Sequence, residues 1–533
     1  MSKKEKTILT ILYALFAAAA FPVFAGVFLL GDKIPFFAGL KLSLPVPYFL
    51  IFLISLILSG VFVFLTVLAG KKEMSEKESW ILTGVFAVLC IPLYLVSFRM
   101  AKEIAFHLPW DVMVVGGSAK SVAQGYALAY EYYYSIYTNN IPIVYILAKI
   151  LKFGTEHNYL PNPEYLWIQV LCVLLTLSVL FSTLSVKRLT QNRAATVTAF
   201  LMGCVLTGLS AWKTAPYTDA YGALFPILCF YLYICFKQAK KPAVKIILLL
   251  LSVLSGGIGG LIKPTVYIVV IALLIAEVAE VIVRGKKEML YLILAAFTMA
   301  AVLFGVKGVK NGMADSMGLI IAPNLEAGVA EYFYMGQNEA TTGAYNSDDA
   351  AIYGEFQDKE KSERTKEVLH RAVRRIKEKG PFEFVSFSFK KMVMTFSDGT
   401  FGWYNEVWID SFYDPCAETD TATGRLLRRL YRFEDPKRMA FAAFLQVFWF
   451  SALTGIAALP VLLFIRDKKE SKDFALNVFI VTVFLGIFFY QLLFEARARY
   501  LFIFLPVLLS LSATGFTQLS VLIGQKTGGK KQS

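Results

Sequence analysis

Glu495-Ala496-Arg497-Ala498-Arg499-Tyr500 sets three charges within six residues, with apolar runs on both sides. A charge at membrane depth is costly, so such residues pair with one another or face a polar cavity. Two arginines beside lipid present the forked donors that suit a phosphate. The chemistry this suggests is the handling of a lipid-linked phosphate. Glu495 and Arg499, four residues apart, could instead form a helical ion pair, which leaves Arg497 unexplained. A second acid, Asp111, follows Trp110 in His107-Leu108-Pro109-Trp110-Asp111. An apolar wall or a nearby cation can tune such a carboxylate as a base; an N-cap on the segment that follows is the plainer reading. Pro216-Tyr217-Thr218-Asp219 offers an acid, a hydroxyl and a phenol, suited to holding a sugar or to capping a helix. Lys263-Pro264 interrupts a long apolar run. Lys263 either snorkels to the surface or lends its charge to a phosphate.

Other chemistries find less support. His107, His157 and His370 are scattered, which argues against a histidine zinc site. Asp111 and Asp219 leave a carboxylate-bound divalent cation open, and no further cofactor is implied. No phosphate-binding loop ending in Gly-Lys-Ser/Thr is present, so ATP hydrolysis has no basis. Gly256-Gly257-Ile258-Gly259-Gly260 lies within an apolar run and reads as close helix packing or local unwinding.

The elements that must position these residues are membrane helices. The chain is 533 residues long and 57% hydrophobic, outside the soluble range. About twelve apolar runs reach the length of a transmembrane helix: 7–30, 48–70, 80–98, 165–186, 194–212, 219–236, 246–262, 265–283, 288–306, 440–465, 474–494 and 500–523. The net charge of +14 gathers in short clusters between these runs, which fits membrane topology and not nucleic acid. Among the basic clusters are Lys3/Lys4/Lys6, Lys71/Lys72/Lys77, Lys187/Arg188/Arg193, Lys237/Lys240/Lys241/Lys245, Arg284/Lys286/Lys287, Arg466/Lys468/Lys469/Lys472 and Lys526/Lys530/Lys531. All of these loops fall on one side, the expected cytoplasmic side, with both termini. Asp111, Asp219, Lys263 and Glu495–Arg499 then face outward. Five cysteines lie in apolar runs and only Cys416 in a polar region, so no disulfide framework is expected.

Ile141–Phe153 is apolar but too short to span, and crossing there would invert every later loop. It reads as an interfacial helix, with Tyr132, Tyr133, Tyr134 and Tyr137 at headgroup level. The organisation expected is therefore an all-α polytopic membrane protein. It has two additional N-terminal spans (1–79), a transmembrane core (80–306) with an outer loop at 99–164, an extracytoplasmic insertion (307–439), C-terminal spans (440–523) and a basic cytoplasmic tail (524–533). Within the insertion, Asp358–Lys379 reads as an amphipathic helix with Val368, Val373 and Ile376 on one side.

Taken in order, these features resemble the GT-C glycosyltransferases, in particular the bacterial branch similar to protein O-mannosyltransferases and lipid A aminoarabinose transferases (glycosyltransferase family 39-like). The features are the stretch 110–125 with its acid, Asn139-Asn140-Ile141-Pro142, a span ending in Lys187-Arg188, Tyr217-Thr218-Asp219, and Glu495-x-Arg497-x-Arg499-Tyr500. Gly336, Gly343-Ala344-Tyr345-Asn346 and Asp398-Gly399-Thr400 add to the likeness in the insertion. The first two spans and the placement of the insertion depart from the family layout. The resemblance implies a GT-C-like core and a polyprenyl-phosphate sugar donor. Asp111 would be the base, with Asp219, Tyr217, Trp110, Asn139, Asn140, Lys263, Glu495, Arg497, Arg499 and Tyr500 binding substrate. The partners implied are that donor, a cell-envelope acceptor (protein, glycan or lipid) and membrane lipids. The other classes are a lipid-linked glycan flippase or transporter, and a surface-glycan ligase or polymerase acting on a lipid pyrophosphate. Ion-coupled transport usually places charges near the bilayer midplane. Here Glu277 and Glu280 are the main intramembrane acids, and both lie toward one helix end.

Overall fold

The computed structural model describes residues 2–34, 44–69, 74–104, 110–128, 130–159, 162–356, 358–406, 421–432, 435–467 and 474–528. His107, Cys416 and the basic residues Lys71, Lys72, Lys468, Lys469, Lys472, Lys530 and Lys531 lie outside them. Among the described residues the regular structure is helical. Eleven helices there are long and apolar enough to cross a membrane: Lys3–Leu30, Tyr48–Leu68, Glu76–Glu103, Tyr165–Thr190, Thr218–Gln238, Pro242–Ile262, Pro264–Arg284, Lys286–Ser316, Pro436–Asp467, Phe474–Leu493 and Leu505–Ile523. The remaining expected span, 194–212, is a shorter apolar helix, Arg193–Gly208. Its last turn widens to a π-helix at Cys204–Gly208. There the Gly208 carbonyl accepts from the buried Lys213 ammonium (2.8 Å) and from Ser97 (3.2 Å), the cationic capping that a helix C-terminus favours.

Local signals explain where helices begin. Ser2 with Glu5 and Ser75 with Glu78 each form a reciprocal capping box at a helix start. Gly256–Gly260 stays helical, so packing and not unwinding accounts for the glycines. A Cβ on Gly256 would stand 2.2 Å from Val270, and one on Gly257 2.4 Å from Val302. Phe474–Leu493 is largely buried, and its rings stack on those of neighbouring helices (Phe16–Phe484 at 4.0 Å, Phe230–Phe479 at 5.2 Å).

The two ends of the bundle differ. At one end two basic residues and a phenol meet acids between spans: Arg193–Glu78 (2.7 Å), Lys237–Glu277 (2.8 Å) and Tyr13–Asp467 (2.6 Å). The opposite end carries the short helices and the insertion. The Lys286–Ser316 helix runs ten residues past the expected boundary at 306, and Pro436–Asp467 begins before 440. The expected helix Asp358–Lys379 starts three residues later, at Lys361, and runs on as a longer helix, Lys361–Phe396, which kinks at Gly380-Pro381. Its buried face is Arg364, Val368 and Ala372, spaced by four. Val373, expected on that face, is exposed, because the face follows Arg364, which is fully buried against Glu331 (3.0 Å). Beyond the kink the helix buries Phe387 and Lys391–Phe396 against the bundle. The insertion is thus packed onto the membrane helices. Ile141–Glu156 is a separate helix that buries Ile143, Val144 and Leu147.

Candidate functional site

Asp111 is the first residue of the Asp111–Ala123 helix, and Trp110, at φ 73°, stands at the cap position. A tryptophan with positive φ is a strained backbone position of the kind that clusters at functional sites. The Asp111 side chain does not cap the helix. Instead, Tyr133 donates its hydroxyl to Oδ1 (2.9 Å) and Tyr217 donates its hydroxyl to Oδ2 (3.2 Å). The Asn140 amide donates to the Tyr133 oxygen (2.8 Å), which leaves the phenolic hydrogen for Asp111, and Asn139 donates to Asn140 (3.2 Å). Burial, then Tyr217 and Asp111, push the Tyr133 phenol far above its ordinary value; burial, then Asp111, do the same to Tyr217. Both stay protonated, as donors must.

Asp219 does not cap a helix either. It is buried and pairs with Lys263 and with Arg499 Nε (3.6 Å). Lys263 therefore turns inward and does not snorkel, because Asp219 meets it there and the Tyr500 ring lies 4.8 Å from its ammonium. Burial pulls the Lys263 ammonium below its ordinary value, and Asp219 opposes that pull. The alternative reading, a Glu495–Arg499 helical pair, is not formed. Residues 495–498 are non-helical and the next helical turn, Arg499–Phe502, starts only at Arg499. The backbone is drawn out because the Glu495 amide donates to Tyr332 O (2.9 Å) and the Ala496 amide to Gly343 O (3.0 Å). Glu495 accepts the Tyr500 hydroxyl (2.7 Å) and pairs with Arg497 (3.7 Å). The Arg497 guanidinium lies over Trp110 (5.2 Å) and Tyr345 (5.8 Å), and that of Arg499 over Tyr217 (5.7 Å) and Tyr500 (5.5 Å).

Every residue to which the resemblance gives a base or substrate-binding part thus joins one connected network at one end of the bundle. Asp111 and Asn139 are half-buried and Trp110 is 38% exposed, so the network is least buried on the Asp111 side. Tyr133, Tyr332, Tyr345 and Lys391 also belong to it. Tyr133 stood in a tyrosine-rich run that suggested a headgroup belt, yet only Tyr132 of that run is exposed. Tyr345 stood in a stretch noted for its resemblance, and Lys391 carried no signal.

The donor set fits a divalent cation poorly. Both Asp111 oxygens take phenols and Asp219 takes two cationic side chains. Among the described residues no three His, Cys, Asp or Glu side chains gather as metal ligands do. What the arrangement offers is a half-buried carboxylate backed by buried lysine and arginine.

No curated protein matches the chain. Among solved structures, the chain is similar to ArnT from Cupriavidus metallidurans bound to undecaprenyl phosphate, with 13% identity, a TM-score of 0.31, and coverage of 85% of this chain and 78% of that one. A family profile described as conserved hypothetical integral membrane protein matches residues 1–519. The chain therefore belongs to that family of integral membrane proteins.

Proposed function

We propose that this protein transfers a sugar from a polyprenyl-phosphate donor to an acceptor hydroxyl, with inversion, at the outer face of the cytoplasmic membrane. The carrying observation is the convergence of Asp111 with Lys263, Arg497 and Arg499, from connections far apart in sequence, at one end of the bundle. The basic loops at the other end support cytoplasmic termini and an outward site.

In this reading Asp111 accepts the proton of the acceptor hydroxyl as the oxygen attacks the anomeric carbon. The bond from that carbon to the phosphate oxygen breaks, and its electron pair stays on the phosphate. That leaving group departs as an anion, so no general acid is required. Lys263, Arg497 and Arg499 stabilise the charge as it builds. Asp219 pairs with Lys263 and Arg499, and Glu495 with Arg497, so the cations are held in place before a phosphate arrives. Trp110 and Tyr345 flank Arg497 at the least buried side, where an acceptor would enter.

Asp111→Asn keeps the side chain's size and removes its basicity. Its transfer from a polyprenyl-phosphate sugar should fall by about 1,000-fold or more, measured as radiolabelled sugar moved to envelope acceptors. Near-wild-type transfer by a folded Asp111→Asn protein would refute the assignment.

A further inference from the structure

Lys391 lies in the Lys361–Phe396 helix of the insertion and is fully buried. Its ammonium donates to three backbone carbonyls: Gly336 (2.8 Å), Leu492 (3.1 Å) and Phe494 (2.6 Å). An ammonium has three hydrogens, and all are matched. These acceptors sit at the C-terminal ends of two helices, Val329–Gly336 and Phe474–Leu493, where carbonyls lack helical partners and a cation is favoured. The residue after Phe494 is Glu495, and the chain then runs through Arg497 to Arg499.

Two close approaches make this junction specific. Gly343 has φ +77°, and a Cβ there would stand 2.7 Å from the Lys391 stem. A Cβ on Gly336 would stand 2.5 Å from the Phe494 carbonyl carbon. Gln337 adds a further tie, its amide donating to Leu493 O (2.9 Å). The insertion therefore grips the chain at 492–496 through Lys391, Gln337, Tyr332 and Gly343, directly before the two arginines.

We infer that Lys391 is a positioning residue of the proposed transfer: through the carbonyls at Leu492 and Phe494 it fixes the direction in which Arg497 and Arg499 meet the donor phosphate. The inference rests on the transferase reading and gives the insertion a part in donor binding as well as in the acceptor site. Lys391 itself touches no substrate.

The test uses the full chain in detergent micelles at pH 6, below the value of about 7 to which burial pulls this lysine, with Glu495 opposing. Undecaprenyl phosphate is the probe, and hydrogen exchange at the Glu495 and Ala496 amides is read in parallel. Lys391→Met should weaken probe binding by about 10-fold or more and speed exchange at those two amides. Gly343→Ala, which displaces the lysine stem but keeps its charge, should do the same to a smaller degree. Wild-type affinity and exchange in folded Lys391→Met overturn the inference. If both Lys391→Met and Gly343→Ala fail to fold, the lysine is structural only and the inference is equally overturned. Failure of the wild-type chain to bind the probe points instead at the transferase reading.

Discussion

Both ends of the bundle bury a cluster of opposite charges, and the two clusters are built differently. At the end rich in basic loops, Lys237 meets Glu277 (2.8 Å) and Glu280, Arg284 meets Glu280 (2.7 Å), and Tyr233 donates to Glu277 (2.6 Å). All five residues sit on two regular helices, Leu224–Gln238 and Tyr267–Arg284. At the other end Asp219, Lys263, Arg497, Arg499 and Glu495 come from short helices, a proline break and an extended segment, with Asp111 held by phenols. A buried ion pair is thus weak evidence of function by itself. What separates the second cluster is its irregular backbone, the strained φ of Trp110, and a carboxylate, Asp111, that is only half-buried.

The sharpest way to break this contrast is to remove the lysine from each cluster. Lys263→Met takes away a cation beside the proposed phosphate, and transfer should fall by about 100-fold or more. Lys237→Met strips the cation from two buried acids and should destabilise the protein by about 3–5 kcal/mol, read as a lower melting temperature in detergent, while turnover per folded molecule stays at the wild-type level. Equal loss of turnover in both variants would erase the distinction between the two ends.

A finer version uses the tyrosines, since each end has one that donates to a carboxylate. Tyr133→Phe leaves the ring in place and removes one of the two donors to Asp111. Turnover should drop by about 10-fold, because a hydrogen bond to a charged group is worth about 1.5–3 kcal/mol and the Tyr217 donor remains. Tyr233→Phe removes the matching bond to Glu277 and should lower stability without changing turnover. The reverse pattern would assign catalysis to the wrong end.

Much of this was legible in the sequence, for physical reasons. Spans announce themselves because hydrocarbon tolerates only long apolar helices. The site residues stood out because charges, prolines and lone acids at span ends are costly there unless they are used. Local spacing failed where the partner is distant in sequence. Glu495 and Arg499 look like a helical pair, but hydrogen bonds to Tyr332 and Gly343 unwind the segment and Arg499 finds Asp219. Lys263 looks like a snorkelling lysine until Asp219 is placed beside it. Lys391 was silent because its partners are backbone carbonyls, which no side-chain pattern encodes.

The smallest expected effect concerns how the insertion is fastened to the bundle at the site end. Glu326 bonds Lys361 (2.6 Å) from the insertion helix, Lys310 (2.9 Å) from the Lys286–Ser316 helix and Thr138 (2.5 Å) from the turn before Ile141. Burial works to raise its carboxyl, and the bonds from Lys361, Thr138 and Lys310 outweigh it, holding the value down at about 2 against an ordinary 4.5. A carboxyl whose folded value is depressed contributes stability that is fully present above its unfolded value and is lost as pH falls toward the folded one. The fastening should therefore weaken between about pH 4.5 and pH 2 and not on the alkaline side. Limited proteolysis of the insertion should speed up across that window in the wild type. Glu326→Gln should flatten that rise, and the Lys237 cluster at the opposite end should make no difference to it. An unchanged acid response in Glu326→Gln would mean that another carboxylate, such as Asp349 against Arg375 (2.6 Å), holds the insertion in place.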